Sequence, residues 1–85
     1  MAYRVEIITS AAEEIRKLET KTQKRVGRKI EQLKENPRPA GCNKLKGGDE
    51  LYRVRVGDFR IIYQINDRVF LVIVVKFGDR KDCYD

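Results

Sequence analysis

Residues 51–65 read LYRVRVGDFRIIYQI. Gly57-Asp58 interrupts two runs of alternating side chains, and a two-residue turn led by glycine suits a type II′ hairpin. The register follows from that turn. Val56 faces Phe59, Arg55 faces Arg60 and Arg53 faces Ile62. Successive strand residues point to opposite sides, so Arg53, Arg55, Arg60, Ile62 and Gln64 share one face. Tyr52, Val54, Val56, Phe59, Ile61, Tyr63 and Ile65 share the other, which reads as a core face. Like charges directly opposite in a sheet cost roughly 0.2–1 kcal/mol. Arg55 against Arg60 is therefore a conflict that folding alone does not explain, and it points to an anion as the missing partner. Arginine suits phosphate because its planar fork donates two parallel hydrogen bonds. The alternative is three solvated arginines with Asp49, Glu50 or Asp58 as counter-ions.

Working outward, Asn66-Asp67 suits a second tight turn and Val69–Phe77 a third strand. Its nearly unbroken apolar run predicts a central strand covered on both faces. Upstream, residues 37–50 form a loop with two prolines and three glycines. Before it, Val26, Ile30 and Leu33 recur at helical spacing. That helix follows a capping-box pattern at Thr20–Gln23 and ends at Asn36-Pro37, since the residue before proline is disfavoured in the α region. Ala11, Ala12, Ile15 and Leu18 give a shorter helix its apolar stripe, behind a capping box at Ser10–Glu13. Arg4–Thr9 alternates as a first strand. The order β-α-α-β-β-β predicts an α+β domain, an antiparallel sheet with an N-terminal αα-hairpin packed on one face. At 85 residues the chain forms a single domain over 1–85.

The chain carries 19 Lys+Arg against 13 Asp+Glu, a net charge of +6, which favours polyanions or acidic partners. The surplus is uneven. Residues 1–48 hold 12 basic and 6 acidic side chains, whereas residues 49–85 hold 7 of each. The net charge is thus helical, and only geometry can locate a phosphate. Two cysteines, Cys42 and Cys83, and no histidine leave too few ligands for a structural zinc site, and they read as reduced thiols. No metal and no small-molecule cofactor are expected. No apolar run approaches the roughly 18 residues that span a bilayer. No signal peptide opens the chain, so the expected location is the cytoplasm.

The tail Phe77-Gly78-Asp79-Arg80-Lys81-Asp82-Cys83-Tyr84 adds to the arginine face. Gly78 lets the chain turn, Arg80 supplies a further phosphate donor if the tail folds onto that face, and Lys44, Lys46 and Lys81 are further RNA-binding candidates. Tyr84 can stack on a base, take part in proton transfer, or simply close the tail as a half-buried ring.

These features together resemble the RelE/ParE superfamily of type II toxin–antitoxin toxins, with the RelE branch the closer. The resemblance is carried by residues 51–65 and 77–84. Pro37-Arg38-Pro39, Lys44-Leu45-Lys46-Gly47 and the Ser10–Leu18 run support it. It implies a ribosome-dependent, metal-independent endoribonuclease that cuts mRNA in the ribosomal A site, the ribose 2′-OH attacking the neighbouring phosphate. By motif, Arg53, Arg55, Arg60, Arg80 and Tyr84 would be the catalytic residues. A cognate antitoxin, small and acidic, would be the partner. Two departures stand out. Lysines often occupy the positions of Arg53 and Arg55, and arginine cannot act as a base. Asp79 stands where relatives commonly carry His or Lys. The alternatives are a ParE-type gyrase inhibitor and a weakly catalytic relative that only binds antitoxin or nucleic acid.

Overall fold

In a computed structural model, which describes residues 2–45 and 50–79, the 51–65 stretch is the expected hairpin. Strand β3 (Leu51–Val56) pairs with β4 (Phe59–Asn66) in the register Val56↔Phe59, Arg55↔Arg60, Arg53↔Ile62. Gly57 has φ of 59°, and the following Asp58 is not among the residues with positive φ, which is the type II′ signature. The remaining elements are β1 (Arg4–Ile7), α1 (Thr9–Arg16), α2 (Thr20–Glu35), the two-residue β2 (Asn43–Lys44) and β5 (Leu71–Asp79). The five strands form one sheet in the order β1-β5-β4-β3-β2.

The sheet is antiparallel except at one edge, where β1 runs parallel to β5. Parallel neighbours need a long crossover, and here everything from α1 to β4 lies between them. The core forms between the helices and one sheet face. Ala11, Val26 and Leu33 meet Val54, Ile61, Tyr63, Val72, Val74 and Phe77, with Ile15, Leu18 and Ile30 packed at its margin. The helical stripes read from the sequence thus turn toward the core, with Ala11, Val26 and Leu33 fully buried.

Three local expectations fail. Neither helix carries the side-chain cap its sequence offers: Ile8 and Glu19 occupy the N-cap positions without side-chain cap bonds. The Ile8 amide donates to the Val74 carbonyl, so the chain stays tied to the sheet until helix α1 begins at Thr9, and Ser10 falls inside the helix. Gln23 serves another purpose. Its Nε2 donates to the carbonyls of Arg16 and Leu18, at 3.0 and 2.9 Å, pinning the end of α1 to the start of α2.

The β4–β5 connection is longer than a tight turn, since Asn66 pairs with Leu71 and Phe70 has φ of 53°. The ring of Phe70 packs edge-on against Tyr3 at 5.5 Å and its carbonyl accepts from the Arg4 amide. These contacts hold a bulky residue in a left-handed conformation that costs roughly 1–2 kcal/mol. Finally, β5 is an interior strand that the described elements cover on one face only. Val72, Val74 and Phe77 are buried, whereas Leu71, Ile73 and Val75 are half-buried and Lys76 is exposed.

Candidate functional site

The face of the sheet away from the helices holds the arginines. Cross-strand pairing arranges them in rows. Arg55, Arg60 and Gly78 form one row across β3, β4 and β5, and Asn43, Arg53, Ile62 and Lys76 form the next. Gly78 places no side chain beside Arg60, and a glycine within a strand is a point where a ligand can approach the backbone.

Ile62 shows how this face is built. It is only 7% exposed yet lies outside the core cluster. Its neighbours across the strands are Arg53 and Lys76, whose long aliphatic stems can lie along an apolar side chain. Arg53 and Arg60 are half-buried, and Arg53 Nη1 and Arg60 Nε are shielded from solvent. Two guanidinium groups are therefore embedded in the surface, which limits the reorganisation needed when an anion arrives. Arg55 is exposed by contrast. It sits where β2 no longer pairs with β3, because that pairing stops at Arg53.

Lys76 is a cation on this face that sequence reasoning missed. It stands within an apolar run and reads there as an interruption. A bulge sets its placement: Ile62 pairs with Lys76 but Tyr63 with Val74, so Val75 is the extra residue. The one available signal was a lone charge between Val75 and Phe77, opposite in phase to the buried ring.

Lys44 goes elsewhere. It pairs with Tyr52, whose ring is in the core, and its ammonium lies 3.5 Å from Glu50 Oε1. Glu50 is thus a counter-ion, but for Lys44 and for Arg38, which lies 3.6 Å away, and not for the hairpin arginines. Lys46, Asp49, Arg80, Lys81, Cys83 and Tyr84 lie outside the described residues, so the expectations placed on them are neither met nor refused by the geometry. The Cys42 thiol is free and half-buried.

A second polar cluster holds the opposite edge of the hairpin. Arg38 binds Asp67 through both terminal guanidinium nitrogens, at 2.9 and 3.3 Å, while its Nε donates to the Tyr52 hydroxyl at 3.0 Å. The Tyr3 hydroxyl donates to Asp67 Oδ1 at 2.6 Å, and that of Tyr52 to Glu50 at 3.2 Å. The Asp67 carboxyl is held below its ordinary range, first by Arg38 and then by Tyr3. The bond to Asp67 pushes the Tyr3 phenol up. Burial pushes Tyr63 up more strongly, and its hydroxyl donates to the Pro37 carbonyl at 2.7 Å. All three described tyrosines are thus committed to internal hydrogen bonds.

Among the described residues no group of three or more Cys, Asp or Glu side chains could hold a metal ion, and no helix is long and apolar enough to cross a membrane. Chemically, the site can bind and stabilise an anion. Its described residues supply no obvious proton acceptor.

Comparison with known proteins agrees with the fold. The family described as the ParE toxin of type II toxin–antitoxin systems matches residues 5–84. A putative toxin RelE1 from Methanocaldococcus jannaschii is 36% identical over 89 aligned positions, covering 99% of this chain and 97% of its own. The mRNA interferase toxin RelE of Escherichia coli is 30% identical, covering 95% of this chain and 86% of its own. The archaeal RelE–RelB complex from Pyrococcus horikoshii superposes with a TM-score of 0.86 at 28% identity, covering 98% of this chain and 100% of the matched one.

Proposed function

The chain belongs to the RelE/ParE superfamily of type II toxin–antitoxin toxins, and on that premise we propose that it is an mRNA-cleaving toxin whose arginine-bearing sheet face cradles the scissile phosphate. The observation that carries this reading is the set of Arg53, Arg60 and Lys76 around Ile62 and Gly78, two of them embedded in the surface. The E. coli relative named an mRNA interferase supports the reaction class.

In that reaction the ribose 2′-oxygen attacks phosphorus as the bond to the 5′-oxygen breaks. A proton leaves the nucleophile and another reaches the departing oxygen. Charge accumulates on the non-bridging oxygens, where guanidinium and ammonium groups stabilise it. The proposed division of labour gives that task to Arg53, Arg60, Lys76 and Arg80, with Tyr84 orienting the nucleophile. The partner is a cognate antitoxin, which for this basic chain is expected to be acidic.

Controlled induction followed by mapping of transcript ends tests the reading. Growth arrest with messages cut inside translated codons is expected. Arg60→Ala and Arg80→Ala should each lower cleavage by roughly 10²–10³-fold, the usual cost of removing one preorganised donor. Because the matched family carries the ParE description, the second reading is a gyrase inhibitor. Arrest with intact messages and trapped DNA–gyrase complexes would establish it instead.

A further inference from the structure

The basic face of α2 has no role in the reading above, although it carries much of the chain's positive surplus. The fold brings it to the hairpin. A cleft of about 310 Å³ lies between α2 and the β3–β4 turn, and Arg25, Arg28, Lys29 and Arg55 line it together with Val56 and Gly57. The contact is close: the Arg25 guanidinium lies 3.4–3.6 Å from where a Gly57 side chain would begin. Four cations thus converge from two elements, and no described carboxylate lines the cleft. None of the four makes an ion pair with a described residue. Such a concentration of like charge is unfavourable unless an anion joins it.

We propose that this cleft binds a second, non-reacting phosphodiester of the RNA strand, so that the chain grips its substrate at two consecutive points. The inference rests on the functional reading above and deepens it. Arg55 is the link. It belongs to the cleft, and it stands directly opposite Arg60, roughly 5 Å away between Cα atoms. The arginine pair that a stable sheet avoids thus divides its two members between neighbouring phosphates. The cleft's composition favours a phosphate over a protein segment. Val56 is its one apolar lining residue and is itself buried, leaving a docked helix nothing to pack against.

The test uses the full chain and a single-stranded oligoribonucleotide methylated at every 2′-oxygen, which lacks the attacking hydroxyl and stays uncut. Affinity is measured by fluorescence anisotropy across a salt series. Each phosphate contact on a single strand adds about 0.7 to the slope of log K against log salt. The Arg25→Ala/Arg28→Ala variant should lose about 0.7 of that slope, and Arg25→Lys/Arg28→Lys should keep it. An unchanged slope in the alanine variant overturns the inference and leaves the functional reading intact. So does an unchanged slope accompanied by weaker binding to ribosomes or to antitoxin. Loss in the lysine variant as well would trace the effect to packing on Gly57 and would likewise overturn the inference. Wild-type protein that fails to bind the oligonucleotide overturns the inference, while the functional reading stands or falls on the transcript-end mapping above.

Discussion

Arg55 and Arg60 face each other across β3 and β4, a residue-level conflict that the proposed function would explain. Directly opposite like charges cost roughly 0.2–1 kcal/mol, so Arg55→Glu should raise stability by about that amount in urea melts while weakening RNA binding. A variant that gains stability and keeps full affinity would remove Arg55 from the site. Asp67 gives the opposite case, a charge kept for the fold. Its carboxyl pKa is depressed by Arg38 and Tyr3. A depressed carboxylate stabilises the fold above its unfolded pKa of about 3.9, and that contribution disappears as pH falls through the lower folded value. Asp67→Asn should therefore lower Tm near neutral pH, and its deficit should shrink as pH falls below the unfolded carboxylate pKa of about 3.9. A deficit that does not shrink on acidification would assign it to packing. The sequence made the three hairpin arginines legible because alternation and one turn fix their register. Lys76 stayed hidden because a bulge lies between it and any turn from which to count.

At the level of elements, the sequence located both helices but misplaced their starts. A capping box requires the chain to leave its preceding partner before the cap, and two tertiary contacts prevent that. Hydrogen bonding to Val74 holds Ile8 against β5, and Gln23 closes the α1–α2 joint in place of its own helix end. The consequence is an uncapped α2. Glu19 has the extended N-cap geometry, with φ of −60° and ψ of 150°, but no side-chain cap bond. Glu19→Ser should supply that bond and raise stability by about 1 kcal/mol in chemical denaturation, without touching the arginine face. No gain would mean that the first-turn amides of α2 are already satisfied. The β4–β5 loop went unread for a related reason. Phe70 has a left-handed backbone that no local preference selects, held there by Tyr3 from the other end of the chain.

Across the described residues, the two helices and the sheet form two layers, and no described element packs over the other sheet face. Hydrophobic pattern revealed the α+β class and the helix-bearing face, but the parallel pairing of β1 with β5 joins distant segments and has no local signature. Charge followed the same logic. Counted along the chain the surplus appears helical and remote from the hairpin, yet the fold places Arg25, Arg28 and Lys29 beside Arg55. What the described residues of the arginine face lack is a histidine or an uncommitted tyrosine to take a proton. The chain contains no histidine, and Tyr3, Tyr52 and Tyr63 are committed to internal hydrogen bonds. General acid–base assistance usually contributes about 10²–10⁴-fold, and orientation of the reacting atoms can contribute more. A site strong in charge and poor in bases should therefore depend on a second body to align the 2′-OH with the phosphate. On the proposed function, purified protein mixed with naked mRNA should cut slowly, and ribosomes carrying the same message should restore cleavage by orders of magnitude. Equal single-turnover rates with and without ribosomes would show that the chain positions its own substrate, and would direct the search for the missing base to residues 80–85.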